Sequence, residues 1–414
     1  MSHGKESETE ILNILYRIVG EDFVFQSPTL MEESGKKIEL TDFLVLLDDI
    51  LITIQSKSID IDIDDINLIK LGRIFKKYEN AKSQLNRTVN SSNRKEKVIL
   101  NAKHLEEHIE LPWVNFRTKI SIITLNIPDN LYENPEFRFQ FTKFEIYKGM
   151  ALHIFILQDL QKVCDEMKTG GDLLHYLENR EIVLKAVSMQ HFVNELDIMA
   201  VYKTKYDAIE KIRKGEIDEL IIEPGLWEFY VKEHAARIIE RDKLLAECFL
   251  IDILIKENRN SISYSIEKYG YTKNEMIQSY MRIIGILNSL TAIERYNVEM
   301  ILKEKLTSTD IYPMRYFIFP FRKKAIFFLI TNETDRERRT SQLQGLSEQA
   351  ALHLSKGIFA TETFLGVATE GRKAPGRSFD SILFNPMDII DEIKEFDGIL
   401  FENRNLGKVD EWTL

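Results

Sequence analysis

The sequence has little cysteine and no long apolar run, and these two absences exclude whole classes of protein. Its 414 residues include only two cysteines, Cys164 and Cys248. Two thiols can form at most one disulfide, which is too few cross-links to stabilise a chain of this length. We therefore expect a reducing, cytoplasmic location or a fold that does not depend on disulfides. No uncharged apolar run reaches the ~18 residues of a membrane span, and the first residues lack the apolar segment of a secretion signal. The membrane and disulfide-rich secreted classes are therefore not expected.

The chain has fewer basic than acidic residues overall, but its basic residues are concentrated in one stretch. The chain has 55 Lys and Arg against 66 Asp and Glu, a net charge of −11, which argues against a protein that coats nucleic acid indiscriminately. Between Lys70 and Lys103, however, ten basic residues meet only two acidic ones. This asymmetry would let one face contact phosphate, although a solvated lysine-rich helix face explains it as well.

The pattern of apolar residues divides the chain into three predicted parts, 1–130, 131–306 and 307–414. The first part alternates helical and strand-like stretches, which predicts an α/β domain. The second is mainly helical after a strand-rich stretch over 137–156, and the third is an α+β region with a hairpin around Arg322-Lys323-Lys324. The predicted elements of the first part are a helix over 5–19, strands over 37–47 and 50–58, a helix over 66–89 and a strand over 119–127.

Two neighbouring strands of the first part carry polar groups on an otherwise apolar stretch. If Asp48-Asp49 is a two-residue hairpin turn, Asp42 lies opposite Gln55, with Cβ atoms about 4.5–5.5 Å apart. Side chains alternate along a strand, so Lys57 shares the face of Gln55. A charge on such a face is costly unless it is paired or binds a metal. An ion pair between Asp42 and Lys57 would satisfy this requirement, and so would a divalent-metal site.

In a metal site, the side-chain oxygens of Asp42 and Gln55 would be hard ligands suited to Mg²⁺ or Mn²⁺. Lys57 would then orient an attacking water and stabilise the charge that develops on a phosphate group. A further carboxylate would come from the first helix, where Glu10 is the first choice and Glu6 the second.

This arrangement resembles the PD-(D/E)xK nuclease superfamily, in which an acid and a (Asp/Glu/Gln)-x-Lys motif lie on adjacent strands between two helices. Gln55-Ser56-Lys57 is most similar to the branch of the Mrr-like restriction endonucleases, and Glu39-x-x-Asp42 is similar to nuclease-related domains. The resemblance covers about residues 5–130 and implies a restriction-endonuclease-like mixed sheet flanked by helices. It implies that Asp42 and Gln55 are metal ligands, Lys57 the catalytic lysine and Glu10 the helix acid. Thr41 stands where the motif has Pro, and Gln55 replaces a carboxylate, which leaves one fewer charge to hold Mg²⁺.

The resemblance also implies a function. We expect a metal-dependent endonuclease that hydrolyses phosphodiester bonds of nucleic acid, DNA rather than RNA. Proteins of this plan resemble prokaryotic antiviral defence effectors, in which the C-terminal part binds a protein partner or a second copy and regulates cutting. The basic residues expected to anchor the nucleic-acid backbone are Lys76, Lys77, Lys82 and Arg87. Two alternatives stay open: a non-catalytic module that binds nucleic acid or protein through a degenerate nuclease fold, and a scaffold whose activity lies in 131–414.

A second motif has the spacing of a zinc site. His104-Leu105-Glu106-Glu107-His108 fits the inverted motif His-x-x-Glu-His, in which two histidines on one helix face bind Zn²⁺. Pro112 would keep such a helix short, and the sequence offers no third ligand. We prefer a solvated helix end.

A third cluster lies near the C-terminal part, where Arg336, Arg338 and Arg339 begin a predicted helix. Arginine at a helix N-terminus opposes the helix dipole. The cluster therefore indicates a bound ligand or an acidic neighbour.

Overall fold

The computed structural model describes residues 3–31, 37–59, 68–93, 97–101, 108–112, 116, 118–187, 193–270, 272–355, 361–374 and 377–388. The chain forms two compact units. The first comprises Met1–Lys243 together with Ile284–Ala292, and the second comprises Leu244–Ile283 together with Ile293–Leu414. None of the described helices is long and apolar enough to cross a membrane.

The first unit contains ten strands and the helices between them within its described residues. The strands are β1 (Val24–Gln26), β2 (Thr29–Met31), β3 (Lys37–Glu39), β4 (Phe43–Leu47), β5 (Ile50–Ser58), β6 (Lys97–Asn101), β7 (His108–Pro112), β8 (Thr118–Asn126), β9 (Lys143–Tyr147) and β10 (Met150–Ile156). The helices are α1 (His3–Val19), α2 (Leu68–Asn93), α3 (Asp129–Tyr132), α4 (Pro135–Phe141), α5 (Leu157–Glu166), α6 (Gly170–Ala186), α7 (Glu195–Thr204), α8 (Tyr206–Arg213) and α9 (Leu226–Ala246), which ends in the second unit.

A six-stranded mixed sheet in the order β1-β4-β5-β8-β10-β9 forms the centre of this unit. β5, β8 and β10 are parallel, whereas β1, β4 and β9 pair antiparallel with their neighbours. Parallel neighbours need a long crossover, and α2 lies between β5 and β8 in the chain. A smaller antiparallel sheet has the order β3-β2-β6-β7.

Helices cover both faces of the six-stranded sheet at β5. Residues 50–56 of this strand are all buried, as is usual where helices flank a parallel strand on both sides. On one face, Ile74 and Leu85 of α2 pack with Ile123 and Leu125 of β8. On the other face, Ser7 of α1 lies with its Oγ 3.2 Å from Oγ of Ser56. The α/β class and the flanked mixed sheet expected from the sequence are therefore present.

The second unit is a helical segment followed by a small sheet. Its elements are α10 (Leu250–Tyr269), α11 (Lys273–Asn288), α12 (Ala292–Ser308), β11 (Met314–Phe321), β12 (Lys324–Thr331), α13 (Arg336–Ser355), β13 (Thr363–Glu370) and β14 (Phe379–Phe384). From Ile284 onward α11 belongs to the first unit, as does Ala292, the first residue of α12. The sheet order is β11-β12-β13-β14, with β12 and β13 parallel. The predicted hairpin around Arg322-Lys323-Lys324 is confirmed by the pairing of β11 with β12.

The structure differs from the sequence expectation in several places. The predicted strand over 37–47 is divided into β3 and β4, which belong to different sheets. The predicted strand-rich stretch over 137–156 begins with helix α4, in which Phe137 and Phe141 are four residues apart and pack into one buried cluster. The predicted division at residue 130 falls inside the six-stranded sheet, because β8 pairs with β10 along six residues on the far side of that position.

Candidate active site at the end of the β4–β5 hairpin

The hairpin of β4 and β5 forms in the predicted register. Leu47 pairs with Ile50 across the Asp48-Asp49 turn, and Phe43 pairs with Ile54 at the other end. Asp48 has a φ of 59°, a left-handed conformation that Asp tolerates better than most residues. This register brings Asp42, directly before β4, beside Gln55 on β5.

Two donors from β5 hold one oxygen of the Asp42 carboxylate. The Gln55 Nε2 group donates to Asp42 Oδ2 at 2.5 Å, and the Ser56 backbone N–H donates to the same oxygen at 2.6 Å. Beside it, the Thr41 hydroxyl donates to the Ile54 carbonyl at 2.8 Å. The carboxylate is therefore oriented by main-chain and side-chain groups of the neighbouring strand.

Burial raises the pKa of Asp42 above its ordinary value. The Ser56 N–H, the positive charge of Lys57 and the Gln55 hydrogen bond oppose this shift, and the negative charge of Glu39 adds to it. Within the described part of the chain, two hydrogen-bond donors satisfy Asp42, and Lys57 acts on it only as a nearby charge. The simple ion pair that the sequence left open is thus not the arrangement found.

Lys57 lies at the half-buried end of β5, on the same face as Gln55. On the parallel neighbour β8, Gln55 is aligned with Ile123 and Lys57 with Leu125. The side chains of Ile123 and Leu125 both pack against α2. An acid, an amide and an ammonium group therefore converge at one edge of the sheet, as the sequence predicted.

Glu10 is not brought to this cluster. It is exposed on α1, and α1 reaches β5 through Ser7 and Ser56 on the face opposite Gln55. Glu10 lines a surface groove of about 590 Å³ together with Glu6, Arg17 and Gln161. The carboxylate whose charge acts on Asp42 is instead Glu39 of β3.

The donor set fits Mg²⁺ only in part. Asp42 and Gln55 carry side-chain oxygens of the kind that bind Mg²⁺, but no group of three His, Cys, Asp or Glu side chains suited to a metal occurs among the described residues. Mg²⁺ commonly binds through one or two carboxylates, with water and substrate phosphate completing its coordination. The residues therefore fit an ion that binds together with a phosphate substrate, not a closed all-protein site.

The predicted phosphate-binding residues of α2 have different surroundings. Lys76 is exposed. Lys77 donates from its ammonium group to the Ser58 carbonyl. Lys82 forms a 2.6 Å ion pair with Glu145, with only 19% of its side chain exposed. Arg87 lies on α2, but its side chain is outside the described part of the structure. Of the three lysines, whose side chains are all described, Lys76 is the one open to a phosphate group.

The zinc motif falls largely outside the described residues. His104–Glu107 belong to the undescribed part of the chain, and His108 is the first residue of strand β7. β7 pairs with β6 from His108 to Pro112, so His108 lies on a strand and not on the helix that the motif requires.

The arginine cluster of the second unit has the acidic neighbour that the sequence indicated. Arg336 and Arg339 both bond to Asp380, at 2.5 Å and 2.6 Å. Arg339 also bonds to Glu370 at 2.5 Å. Side chains from the neighbouring strands therefore offset the unfavourable position of these arginines at the helix start.

The backbone donor of Ser56 and the charge of Glu39 were missed by sequence reasoning. Strand periodicity predicts which side chains share a face, but a main-chain N–H aimed at a carboxylate leaves no signal in residue types. The Glu39-x-x-Asp42 spacing was the one available signal for Glu39.

Comparison of this chain with protein-family models, with curated proteins and with solved structures gives no match.

Proposed function

We propose that this chain is a Mg²⁺- or Mn²⁺-dependent endonuclease that hydrolyses phosphodiester bonds of nucleic acid, with DNA as its substrate. The observation that carries the proposal is the convergence of Asp42, Gln55 and Lys57 at the paired ends of β4 and β5. The hairpin lies between helices α1 and α2 in the chain, which agrees with the plan implied by the PD-(D/E)xK resemblance. On that basis we also propose a restriction-endonuclease-like fold for the first unit.

Each residue of the cluster has a separate role in this proposal. Asp42 and Gln55 would hold the divalent ion, which when bound would neutralise phosphate charge and lower the pKa of a bound water. The Ser56 N–H fixes the Asp42 carboxylate before substrate arrives, and such preorganisation reduces the cost of forming the reactive geometry. Lys57 orients the attacking water and stabilises negative charge developing on the phosphate.

The biological setting rests on the superfamily resemblance alone. We propose a prokaryotic, cytoplasmic antiviral defence effector, in which Lys76, Lys77, Lys82 and Arg87 contribute to binding the nucleic-acid backbone. The C-terminal part would bind a protein partner or a second copy of the chain and regulate cutting. Lys82 could contribute to binding only after leaving its ion pair with Glu145.

Metal-dependent nicking of supercoiled plasmid DNA tests the proposal. We expect the wild-type chain to cut with Mg²⁺ or Mn²⁺ and not with EDTA. Asp42→Asn and Lys57→Met should each lower the cutting rate by about 100-fold or more, because the first removes the charge that would hold the divalent ion and the second removes the charge that stabilises the reacting phosphate. Circular dichroism would show whether both variants keep the wild-type fold.

Lys148→Asn is the matched control for this experiment. Lys148 is an exposed lysine in the β9–β10 turn, which precedes β10, whereas Lys57 lies at the end of the parallel strand β5. The Lys148→Asn substitution should leave the cutting rate unchanged. Full activity of the folded Asp42→Asn and Lys57→Met variants would contradict the site assignment.

A specific observation favours a second candidate, a non-catalytic module with a degenerate nuclease fold. Gln55 directs its amide N–H group to Asp42, and it stands where the motif of the superfamily has a carboxylate. With an amide in place of that carboxylate, the site has one fewer negative charge to hold Mg²⁺. Wild-type chain that binds DNA but does not cut it with either metal would establish this candidate over the endonuclease.

A further inference from the structure

The segment that carries Asp42 lies between two strands and belongs to neither. Leu40, Thr41 and Asp42 follow β3, which is part of the small sheet, and precede β4, which is part of the six-stranded sheet. The pairing of β4 with β5 ends at Phe43 and Ile54, so that ladder does not fix the backbone of this segment. The position of the Asp42 carboxylate therefore depends on the other contacts that the segment makes.

Main-chain groups between β1 and β2 hold the two ends of this segment. The Leu40 N–H donates to the Pro28 carbonyl at 2.9 Å, and the Ser27 N–H donates to the Asp42 carbonyl at 2.8 Å. Ser27 has a φ of 47°, a left-handed conformation that is uncommon for a residue other than glycine. Such conformations cost free energy and persist where the surrounding structure enforces them, often at functional sites. A strained residue thus bonds directly to Asp42.

Two buried threonine hydroxyls also bond to the segment or from it. Thr41 and Thr88 are each 1% exposed. The Thr41 hydroxyl donates to the Ile54 carbonyl of β5 at 2.8 Å, and the Thr88 hydroxyl of α2 donates to the Leu40 carbonyl at 3.0 Å. A threonine in a helix can bond to the carbonyl four residues earlier in the same helix, but Thr88 bonds to a different element. Its hydroxyl therefore joins α2 to the segment that carries Asp42.

We propose that Thr41 and Thr88 are positioning residues of the candidate site, whose hydroxyls hold residues 40–42 so that the Asp42 carboxylate is fixed where it would bind the divalent ion. The inference rests on the proposed function and deepens it, because it assigns a role to two residues outside the ion's ligands. Each hydroxyl is bonded to a carbonyl, so neither would contact the ion or the substrate. Removing a group that orients a metal ligand typically costs about 10- to 100-fold in metal affinity or activity.

A purely structural role for the two hydroxyls predicts a different result. Each hydroxyl donates to a buried backbone carbonyl, so its loss lowers the stability of the first unit in either case. A positioning role also changes ion binding and cutting, because a shift of about 1 Å in a reacting group can cost about 100-fold in rate. Stability and ion affinity, measured on the same variants, therefore separate the two roles.

Titration of the full chain with Mn²⁺, followed by electron paramagnetic resonance of the free ion, tests the proposal without cutting. Thr41→Val and Thr88→Val keep the shape of the side chain and remove its hydroxyl. We expect each to weaken Mn²⁺ binding by about 10- to 100-fold and to slow plasmid nicking by a similar factor. Thr88→Ser keeps the hydroxyl and should bind Mn²⁺ like the wild-type chain.

Thr142→Val is the matched control. Thr142 is also buried, and its hydroxyl donates to the Arg138 carbonyl at 3.1 Å, a local bond that involves neither residues 40–42 nor β5. Thr142→Val should lower the midpoint of urea denaturation, as the other two valine variants do. Its Mn²⁺ affinity and its nicking rate should equal those of the wild-type chain.

Three outcomes would overturn the proposal in different ways. Wild-type Mn²⁺ affinity in either Thr41→Val or Thr88→Val would do so, and so would a Thr88→Ser variant that binds as weakly as Thr88→Val. If a valine variant does not fold, the alanine variant at the same position is titrated instead. A wild-type chain that binds no Mn²⁺ would refute the proposed function and this inference with it. A wild-type chain that binds Mn²⁺ and cuts DNA, with unaffected valine variants, would leave the endonuclease standing and refute the positioning role alone.

Discussion

At the scale of single residues, Arg339 of α13 is the most completely buried charged side chain among the described residues of the second unit. Its side chain is 0% exposed and bonds to Asp380 and Glu370. A third group, the Ser378 hydroxyl, accepts from its Nη2 at 2.6 Å. The Glu370 carboxylate of β13 and the Asp380 carboxylate of β14 thus share the guanidinium of Arg339, and Asp380 also bonds to Arg336.

Arg339→Met should therefore lower the stability of the second unit. Removing the guanidinium leaves Glu370 without its counter-charge and Asp380 with Arg336 alone, and breaking a buried pair in this way typically costs about 3–5 kcal/mol of stability. Arg338→Met, at an exposed neighbouring position, should change stability by less than about 0.5 kcal/mol. Thermal denaturation followed by circular dichroism measures both, and a Tm of Arg339→Met equal to that of Arg338→Met would contradict the expectation.

The residues of the candidate site differ in how far sequence could predict them. Asp42, Gln55 and Lys57 were predictable, because strand alternation and a two-residue turn fix which side chains meet. Glu10 was not, because the rotation of α1 about its axis depends on how Ser7 and the apolar residues of α1 pack on the sheet. That packing is a tertiary effect, and residue spacing within α1 does not determine it.

At the scale of elements, the turn between β4 and β5 is held by a close helix contact within the first unit. A Cβ atom added at Gly285 of α11 would lie 2.6 Å from the backbone N of Asp48 and 2.8 Å from its Cα. Both neighbours are backbone atoms of a tight turn, so neither can move aside at low cost. Glycine at this position lets the helix approach the hairpin.

Gly285→Ala should lower the stability of the first unit by about 1–3 kcal/mol, because the added methyl group overlaps the turn. Gly72→Ala is the control, since Gly72 lies in helix α2 with no atom within 4 Å of the added Cβ. It should stabilise by about 0.5–1 kcal/mol through helix propensity alone. Urea denaturation of the two variants gives opposite signs if the contact is real, and equal gains would disprove it.

The elements that could be predicted are those whose sequence pattern lies within one short segment of the chain. The hairpins β4–β5 and β11–β12 have apolar runs broken by two polar residues, so the turn and the pairing follow from a short segment. Helix α4 was missed because Phe137–Phe141 is a short aromatic stretch that also suits a strand. Its helical state is fixed by burial of both rings on one side, a tertiary effect.

At the scale of the whole molecule, the first unit is larger than the motif-bearing third of the sequence. β8 is paired on one side with β5 and on the other with β10. Ile122 and Ile123 of β8 are fully buried. The end of the family resemblance at about residue 130 is thus not the end of the sheet, because pairing between distant strands cannot be inferred from a motif.

A fragment of residues 1–130 should consequently fail to fold cooperatively. Losing β9 and β10 would expose the buried edge of β8 and leave its N–H and C=O groups on that side without partners. A fragment of residues 1–292, which keeps all segments of the first unit, should give a dispersed amide NMR spectrum, whereas 1–130 should not. A dispersed spectrum from 1–130 would show that the shorter segment is an independent domain.

During synthesis, the β4–β5 hairpin leaves the ribosome long before the helix that supports its turn. More than half of the chain separates Asp48 from Gly285, and at about 5–20 residues per second that interval lasts about 10–50 s. Until then the first unit lacks Ile284–Ala292. A nascent chain would thus emerge with Asp42 and Lys57 already made but without the segment that contacts their hairpin, which delays completion of the first unit until late in synthesis.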